Sequence, residues 1–289
     1  MESKRSIVDI MGRRYSNRTY MKEQITRDHR EIIQGFISGV KAGPLGSSAR
    51  FTLITDSGES RESLRELGTY GVIRNAAGFF AGAVKHSDHC FEDYGYLLEK
   101  IVIHAAGMGL ATCWLGGTFS KSGFARGISL EKDEALPAVV ATGYAAPKPG
   151  LVDSIMRFGA GSKYRKQWDS LFFSGDMTAP LKESDAGSYA VPIEMVRRAP
   201  SAANKQPWRI VKELGKNIFH FYMLRTKMYR EGGKMVGIQD LQRVDMGIAM
   251  YHFEASAAES KLVGSWTVAN PGITAGAGDC EYIVTWKGK

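Results

Sequence analysis

Pro200-Ser201-Ala202-Ala203-Asn204-Lys205-Gln206-Pro207-Trp208 is the stretch on which the reading of this 289-residue chain turns. It joins a short helical pattern at 189–198 to an apolar strand pattern at 209–214, and its two prolines fix the turns between them. A loop of this kind can present backbone donors, the Ser201 hydroxyl and the Asn204 amide to a planar polar ring. Spacing alone favours a plainer reading, a helix-to-strand connection whose Ser and Asn cap neighbouring backbone groups.

Outward from the loop, helices and strands alternate. Before residue 150 the patterns run from an amphipathic helix at 29–39 through the Gly-rich loop at 42–49 to a strand at 50–55. A second apolar strand at 78–84, a long helix at 93–109, a turn at 110–117 and a strand at 137–144 follow. After residue 150 the order recurs: helix 189–198, the quoted loop, strand 209–214, a long helix at 241–260, the segment 261–266 and a strand at 281–287.

A shift of 152 residues lays one long helix on the other, so that Asp93, Gly95, Ala105, Ala106, Leu110 and Trp114 meet Asp245, Gly247, Ala257, Ala258, Leu262 and Trp266. Chance pairing gives only about one or two identities over such a window. Two unrelated helix–turn segments are the alternative. The matching order of the flanking elements favours duplication of one α+β unit, and hence an internal pseudo-dimer.

Composition narrows the function classes. The chain is 44% hydrophobic and 24% charged, ordinary values for a folded globular protein. Cys90, Cys113 and Cys280 are far apart and form no CxxC pair, which argues against a disulfide framework or zinc site and suits a reducing cytosol. The N-terminus has no signal-type apolar core, and the apolar stretch 101–117 is short and carries His104, so a soluble cytoplasmic protein without a membrane segment is expected. The net charge of +8 is dispersed and accompanies no nucleic-acid motif, so no nucleic-acid partner is expected and an anionic small molecule suits it better. No Ser/His/Asp set, paired carboxylates or metal cluster is legible. His104 and His252 sit among apolar neighbours and read as core or rim residues.

The quoted string resembles the PSxxNxQPW loop of the FMN-dependent nitroreductase family. Arg14-Tyr15-Ser16-Asn17-Arg18 is similar to that family's R-x-S-x-[RK] signature, and 110–117 (LATCWLGG) resembles the turn after its long central helix. Lys163-Tyr164-Arg165, ahead of Leu171-Phe172, is similar to its C-terminal basic pair. The resemblance implies an α+β nitroreductase-like fold with mixed or antiparallel sheets flanked by helices. It divides the chain into a first half at 1–175 and an abbreviated second half at 176–289.

Family members are typically homodimers with FMN at the interface, each site drawing on both subunits. Here the first half keeps the Arg-rich signature, the WLGG turn and the basic pair, but its loop is reduced to Ala42-Gly43-Pro44-Leu45-Gly46-Ser47-Ser48-Ala49. The second half keeps the QPW loop, lacks an R-x-S-x-R entry, and has Thr267-Val268 in place of the turn's Leu-Gly. The resemblance therefore implies one FMN per chain, in a protein that can be active as a monomer.

The roles it implies follow the flavin's chemistry. Arg14, Lys163 and Arg165 meet the phosphate, and Ser16 donates to a phosphate or ribityl oxygen. Arg18 lies near N1 and O2, where charge develops on reduction. Leu115, Gly116 and Gly117 bring backbone N–H groups to N5 and O4, while Pro200, Ser201, Ala202 and Asn204 address the ring from the other half. The expected activity is ping-pong hydride transfer from NADH or NADPH to a small oxidised acceptor such as a nitroaromatic or quinone, with no catalytic side chain required. Two alternatives stay open: a flavin-binding or regulatory protein without efficient turnover, and a reductive dehalogenase or flavin-fragmenting relative.

Overall fold

The computed structural model describes residues 5–55, 64, 67–147, 164–226, 239–273 and 279–289. Its first half carries α1 (Ile7–Arg13), α2 (Arg27–Ser38), β1 (Ala49–Thr55), β2 (Gly78–Lys85), α3 (Cys90–Gly107), β3 (Ala111–Leu115), α4 (Lys121–Gly127), β4 (Glu134–Ala135) and β5 (Val139–Gly143). There follow β6 (Phe172–Ser174), α5 (Glu183–Ala186), α6 (Ala190–Arg198), β7 (Trp208–Lys212), β8 (Ile218–Leu224), α7 (Leu241–Glu259), β9 (Gly264–Thr267) and β10 (Cys280–Gly288).

Strand β2, GFFAGAVK, shows why its sheet has helices on both faces. Phe80 and Val84 face a core built with α2 and α3, whereas Phe79, Ala81 and Ala83 face a second core containing Phe119 and Phe124. Both faces are covered, so the strand reads as an unbroken apolar run rather than an alternation. The first sheet has the order β1-β2-β5-β3, with β4 on β2, and every pair in it is antiparallel. The second has the order β6-β7-β8-β10-β9 and is mixed, because β6 joins β7 in parallel.

Leaving β4 and β6 aside, each sheet places its strands in the order first, second, fourth, third, with the long helix between the second and third in sequence. The pairs found at a shift of 152 occupy equivalent places. Gly95 and Gly247 lie where α3 crosses α7: a Cβ on Gly95 would overlap the carbonyl of Val244, and one on Gly247 would overlap the carbonyl of Glu92. Asp93 accepts from the backbone N–H of Leu45 and Ser47, and Asp245 from that of Ala202. Each long helix therefore holds the loop of its own half. The loops then reach across: Leu45 packs on the second-half core and Ala202 on the first-half core. The fold is the α+β, two-half arrangement expected.

Two local differences have physical causes. Residues 111–115 form a strand rather than part of a turn, because all five pair with β5 and Cys113 and Leu115 pack into the core beneath. The short β6 (Phe172–Ser174), placed by the sequence reading in the first half, completes the second sheet, because β7 offers it an edge.

Candidate functional site

The N-terminal segment is held by both halves. Ser6 caps α1, and Glu259 at the end of α7 accepts from Ser6 Oγ (2.6 Å), Ile7 N (2.7 Å) and Val8 N (3.2 Å), a carboxylate at the positive end of a helix. Arg14 is the C-cap of α1. Beyond it the chain runs beside β3: Ser16 bridges Thr112, Asn17 N donates to Thr112 O, and Arg18 O accepts from Arg74 N. The end of that strand carries Leu115 and the bend through Gly116 and Gly117. Leu115 is a core side chain, and Gly116 has a packing reason to be glycine, since a Cβ there would overlap Leu241 of α7. Gly117 is exposed.

The 200–208 loop is strained and tightly tied. Ala203, Asn204 and Gln206 all have positive φ (46°, 54° and 49°), a conformation costly for residues with a Cβ and held only where surroundings demand it. Ala202 N donates to both Asp245 oxygens (2.9 and 3.1 Å), and Gln206 N to Ser201 Oγ (2.9 Å). Burial pushes the Asp245 and Asp93 carboxyls up from the ordinary carboxylate range. Pro200 is buried.

Arg165, in the segment before β6, lies on this loop. Its Nη1 donates to Asn204 Oδ1 and its Nη2 to Arg198 O, both at 3.0 Å, while Asn204 Nδ2 donates to Tyr164 O (2.9 Å) and Lys166 N to Gln206 Oε1 (2.9 Å). Burial, with the charges of Arg14, Arg197 and Arg198, pushes the Arg165 guanidinium down to about 10. Those four arginines therefore form one cationic cluster. Glu194 answers Arg197 and Arg198 at 2.6 and 2.8 Å. Arg14 has a side chain only 5% exposed, its Nε is 4.0 Å from Glu99 Oε1, and its Nε and Nη1 have no hydrogen-bond partner among the described residues. A cavity of about 180 Å³ opens beside Arg14, and a wider groove of about 620 Å³ lies across α1, lined by Gly12, Arg13, Arg197 and Arg198.

The structure thus gathers Arg14, Arg165, Asn204 and the 200–204 loop, runs Ser16 alongside β3, which ends at Leu115 before Gly116 and Gly117, and sets Arg18 beside Arg74. Asn204 gains a role beyond the one expected of it, as an anchor for Arg165. Lys163 lies outside the described residues. Sequence reading missed Arg197 and Arg198, whose one signal is their place just before the loop, and Glu99, whose signal is spread over residues far apart. His104 stacks on Phe36 (centroids 3.8 Å apart, planes 2° apart) and burial lowers its basicity, while His252 is fully buried; both sit in packed surroundings, as read. Among the described residues no His, Cys, Asp and Glu group could hold a metal ion, and no helix is long and apolar enough to cross a membrane.

A search of curated proteins finds no match. Among solved structures, "a putative nitroreductase" from Thermotoga maritima is similar over 99% of this chain and 95% of its own, with 17% identity and a TM-score of 0.60. A "nitroreductase with bound FMN" from Desulfitobacterium hafniense matches 52% of this chain and 93% of its own (16% identity, TM-score 0.39). An "NADPH:FMN oxidoreductase" from Vibrio harveyi, complexed with NAD+, matches 50% and 73% (18% identity, TM-score 0.39). The family model described as "Putative TM nitroreductase" matches residues 6–257, nearly the whole chain, and the chain belongs to the nitroreductase family.

Proposed function

We propose that the chain holds one FMN between its halves, 1–175 and 176–289, and is an FMN-dependent oxidoreductase that passes hydride from NADH or NADPH to a small oxidised acceptor such as a nitroaromatic or quinone. One observation carries this reading. Arg14 is a buried guanidinium with two nitrogens that make no hydrogen bond among the described residues, beside Arg165 in a cluster whose carboxylates are already engaged: Glu194 by Arg197 and Arg198, and Glu99, 4.0 Å from Arg14 Nε, by His252 and Trp114. Like charges so close, in low dielectric, call for an anion, and guanidinium geometry suits a phosphate. The residues present therefore fit the phosphate end of the cofactor.

When bound, FMN supplies the hydride chemistry. The chain's own residues bind and orient it. Arg14, Arg165 and Lys163 take the phosphate, and Ser16 a phosphate or ribityl oxygen. Arg18 sets a fixed cation near the pyrimidine edge, where it favours the reduced anionic form. Leu115, Gly116 and Gly117 offer backbone N–H groups from one half, and Pro200, Ser201, Ala202 and Asn204 complete the ring's surroundings from the other. We read the protein as a cytoplasmic monomer acting on small molecules. Family membership and the cationic cluster support this reading together.

Purified protein is expected to be yellow, to bleach with NADH or NADPH under anaerobic conditions, and to recover colour when a nitroaromatic or quinone is added. Bound flavin that stays oxidised with either nicotinamide would contradict turnover, and protein without flavin affinity would contradict the whole reading. The loops give a second test. Asn204→Ala removes the acceptor that positions Arg165, so the Kd for FMN should rise about ten-fold. Pro44→Ala, in the equivalent loop of the first half, should leave it unchanged. Equal effects of the two substitutions would mean that the loops are not functionally distinct.

A further inference from the structure

Glu99 of α3 and His252 of α7 meet between the halves, with side chains 0% and 1% exposed and His252 Nε2 2.9 Å from Glu99 Oε1. His252 Nδ1 lies 3.0 Å from the carbonyl oxygen of Met195 on α6. A carbonyl can only accept, so Nδ1 carries a hydrogen. The contact at Nε2 needs a hydrogen as well, on the imidazole or on the carboxyl, because otherwise two lone pairs would face each other. Glu99 Oε2 accepts from Trp114 Nε1 at 2.7 Å, which leaves Oε1 to share that proton. Wherever the proton sits, the pair is neutral as a unit.

Arg14 approaches the same oxygen, with Nε 4.0 Å away. A carboxylate with no proton to share would bring a net negative charge to Arg14, whereas the pair as a unit brings none. Tyr251, the neighbouring ionisable group on α7, is held neutral by burial, which pushes its hydroxyl up.

We propose that Glu99 and His252, one from each half, hold a shared proton as a neutral buried pair, and that this neutrality leaves the charge of Arg14 to be met by the phosphate of the flavin. Both are positioning residues: neither touches the cofactor, and each acts through Arg14. The second clause rests on the flavin reading above, while the first stands on hydrogen bonding alone.

The test has two arms. In ¹⁵N NMR of histidine-labelled protein freed of flavin, the His252 signals are assigned by their loss in His252→Gln. Nδ1 should be protonated and Nε2 protonated or strongly hydrogen-bonded; a bare, unbonded Nε2 overturns the pair whatever the protein binds. In the second arm, His252→Gln takes away the imidazole and its share of the proton, so that a carboxylate at Glu99 is no longer neutralised within the pair and is left to Arg14. The Kd for FMN should then rise by about ten-fold or more, and Glu99→Gln added to it should restore the Kd to within about three-fold of the wild type. Riboflavin, which has no phosphate, should bind all three proteins alike. Unchanged FMN affinity in His252→Gln, no recovery in the double variant, or a parallel loss of riboflavin affinity overturns the proposal. If the wild type binds no FMN, the flavin reading fails and the NMR arm alone decides the pair.

Discussion

Gly247→Ala should lower the thermal unfolding midpoint by about 6–12 °C, corresponding to roughly 3 kcal/mol for a chain of this size. The added methyl would overlap the carbonyl of Glu92, which is backbone and cannot rotate away, so α3 and α7 must separate. Gly95→Ala should do the same, because its Cβ meets the carbonyl of Val244. The two long helices form the main seam between the halves, and spreading them loosens both cores at once. Gly35 on α2 is the control. A Cβ there meets nothing within 4 Å, so Gly35→Ala should stabilise the protein by up to about 1 kcal/mol through helix propensity. Differential scanning calorimetry of the three variants decides the matter. A Gly247→Ala protein that melts with the wild type would contradict the helix crossing.

The second large effect concerns the cofactor. Arg14→Ala should raise the Kd for FMN about 100-fold, as expected when two charge-assisted hydrogen bonds to phosphate are lost. The same substitution should leave the midpoint of the flavin-free protein unchanged or higher, since it removes a buried cation from a cluster of like charges. That opposition separates a binding residue from a structural one. Arg13 is its control: it is exposed, with its nearest carboxylate, Asp9, 3.9 Å away, and Arg13→Ala should change neither quantity. Flavin fluorescence titration alongside calorimetry reads both. Unaltered FMN affinity in Arg14→Ala would remove the phosphate role on which the functional reading rests.

Much of the fold was legible because duplication leaves its trace where packing tolerates least. Among the residues that match at a shift of 152 are ones with no substitute: the glycines at the helix crossing and the aspartates that hold the loops. The tryptophans occupy equivalent strands, and Trp114 and Trp266 each donate to a buried or half-buried glutamate, Glu99 and Glu254. Other elements were hidden for physical reasons. Strand β8, IFHFYML, is apolar at nearly every position, so period alone cannot separate it from a helix. The parallel strand β6 has three residues and exists only because β7 offers it an edge.

The candidate site divides in the same way. The Arg14-Ser16-Arg18 segment and the Pro200–Asn204 loop are contiguous motifs, and so were readable. The anchoring of Arg165 by Asn204 joins residues 39 apart, and the Glu99–His252 contact joins residues 153 apart. No local spacing announces either. Gly116 shows the opposite hazard, because a glycine expected to admit a cofactor has a packing reason of its own in Leu241.

Flavin stoichiometry tests most directly whether the two halves differ in building one site. Protein saturated with FMN, freed of excess by gel filtration and denatured, should release one FMN per chain by absorbance against protein mass. Two FMN per chain would show that the loop of the first half still builds a site, and none would contradict the phosphate role given to the cationic cluster around Arg14.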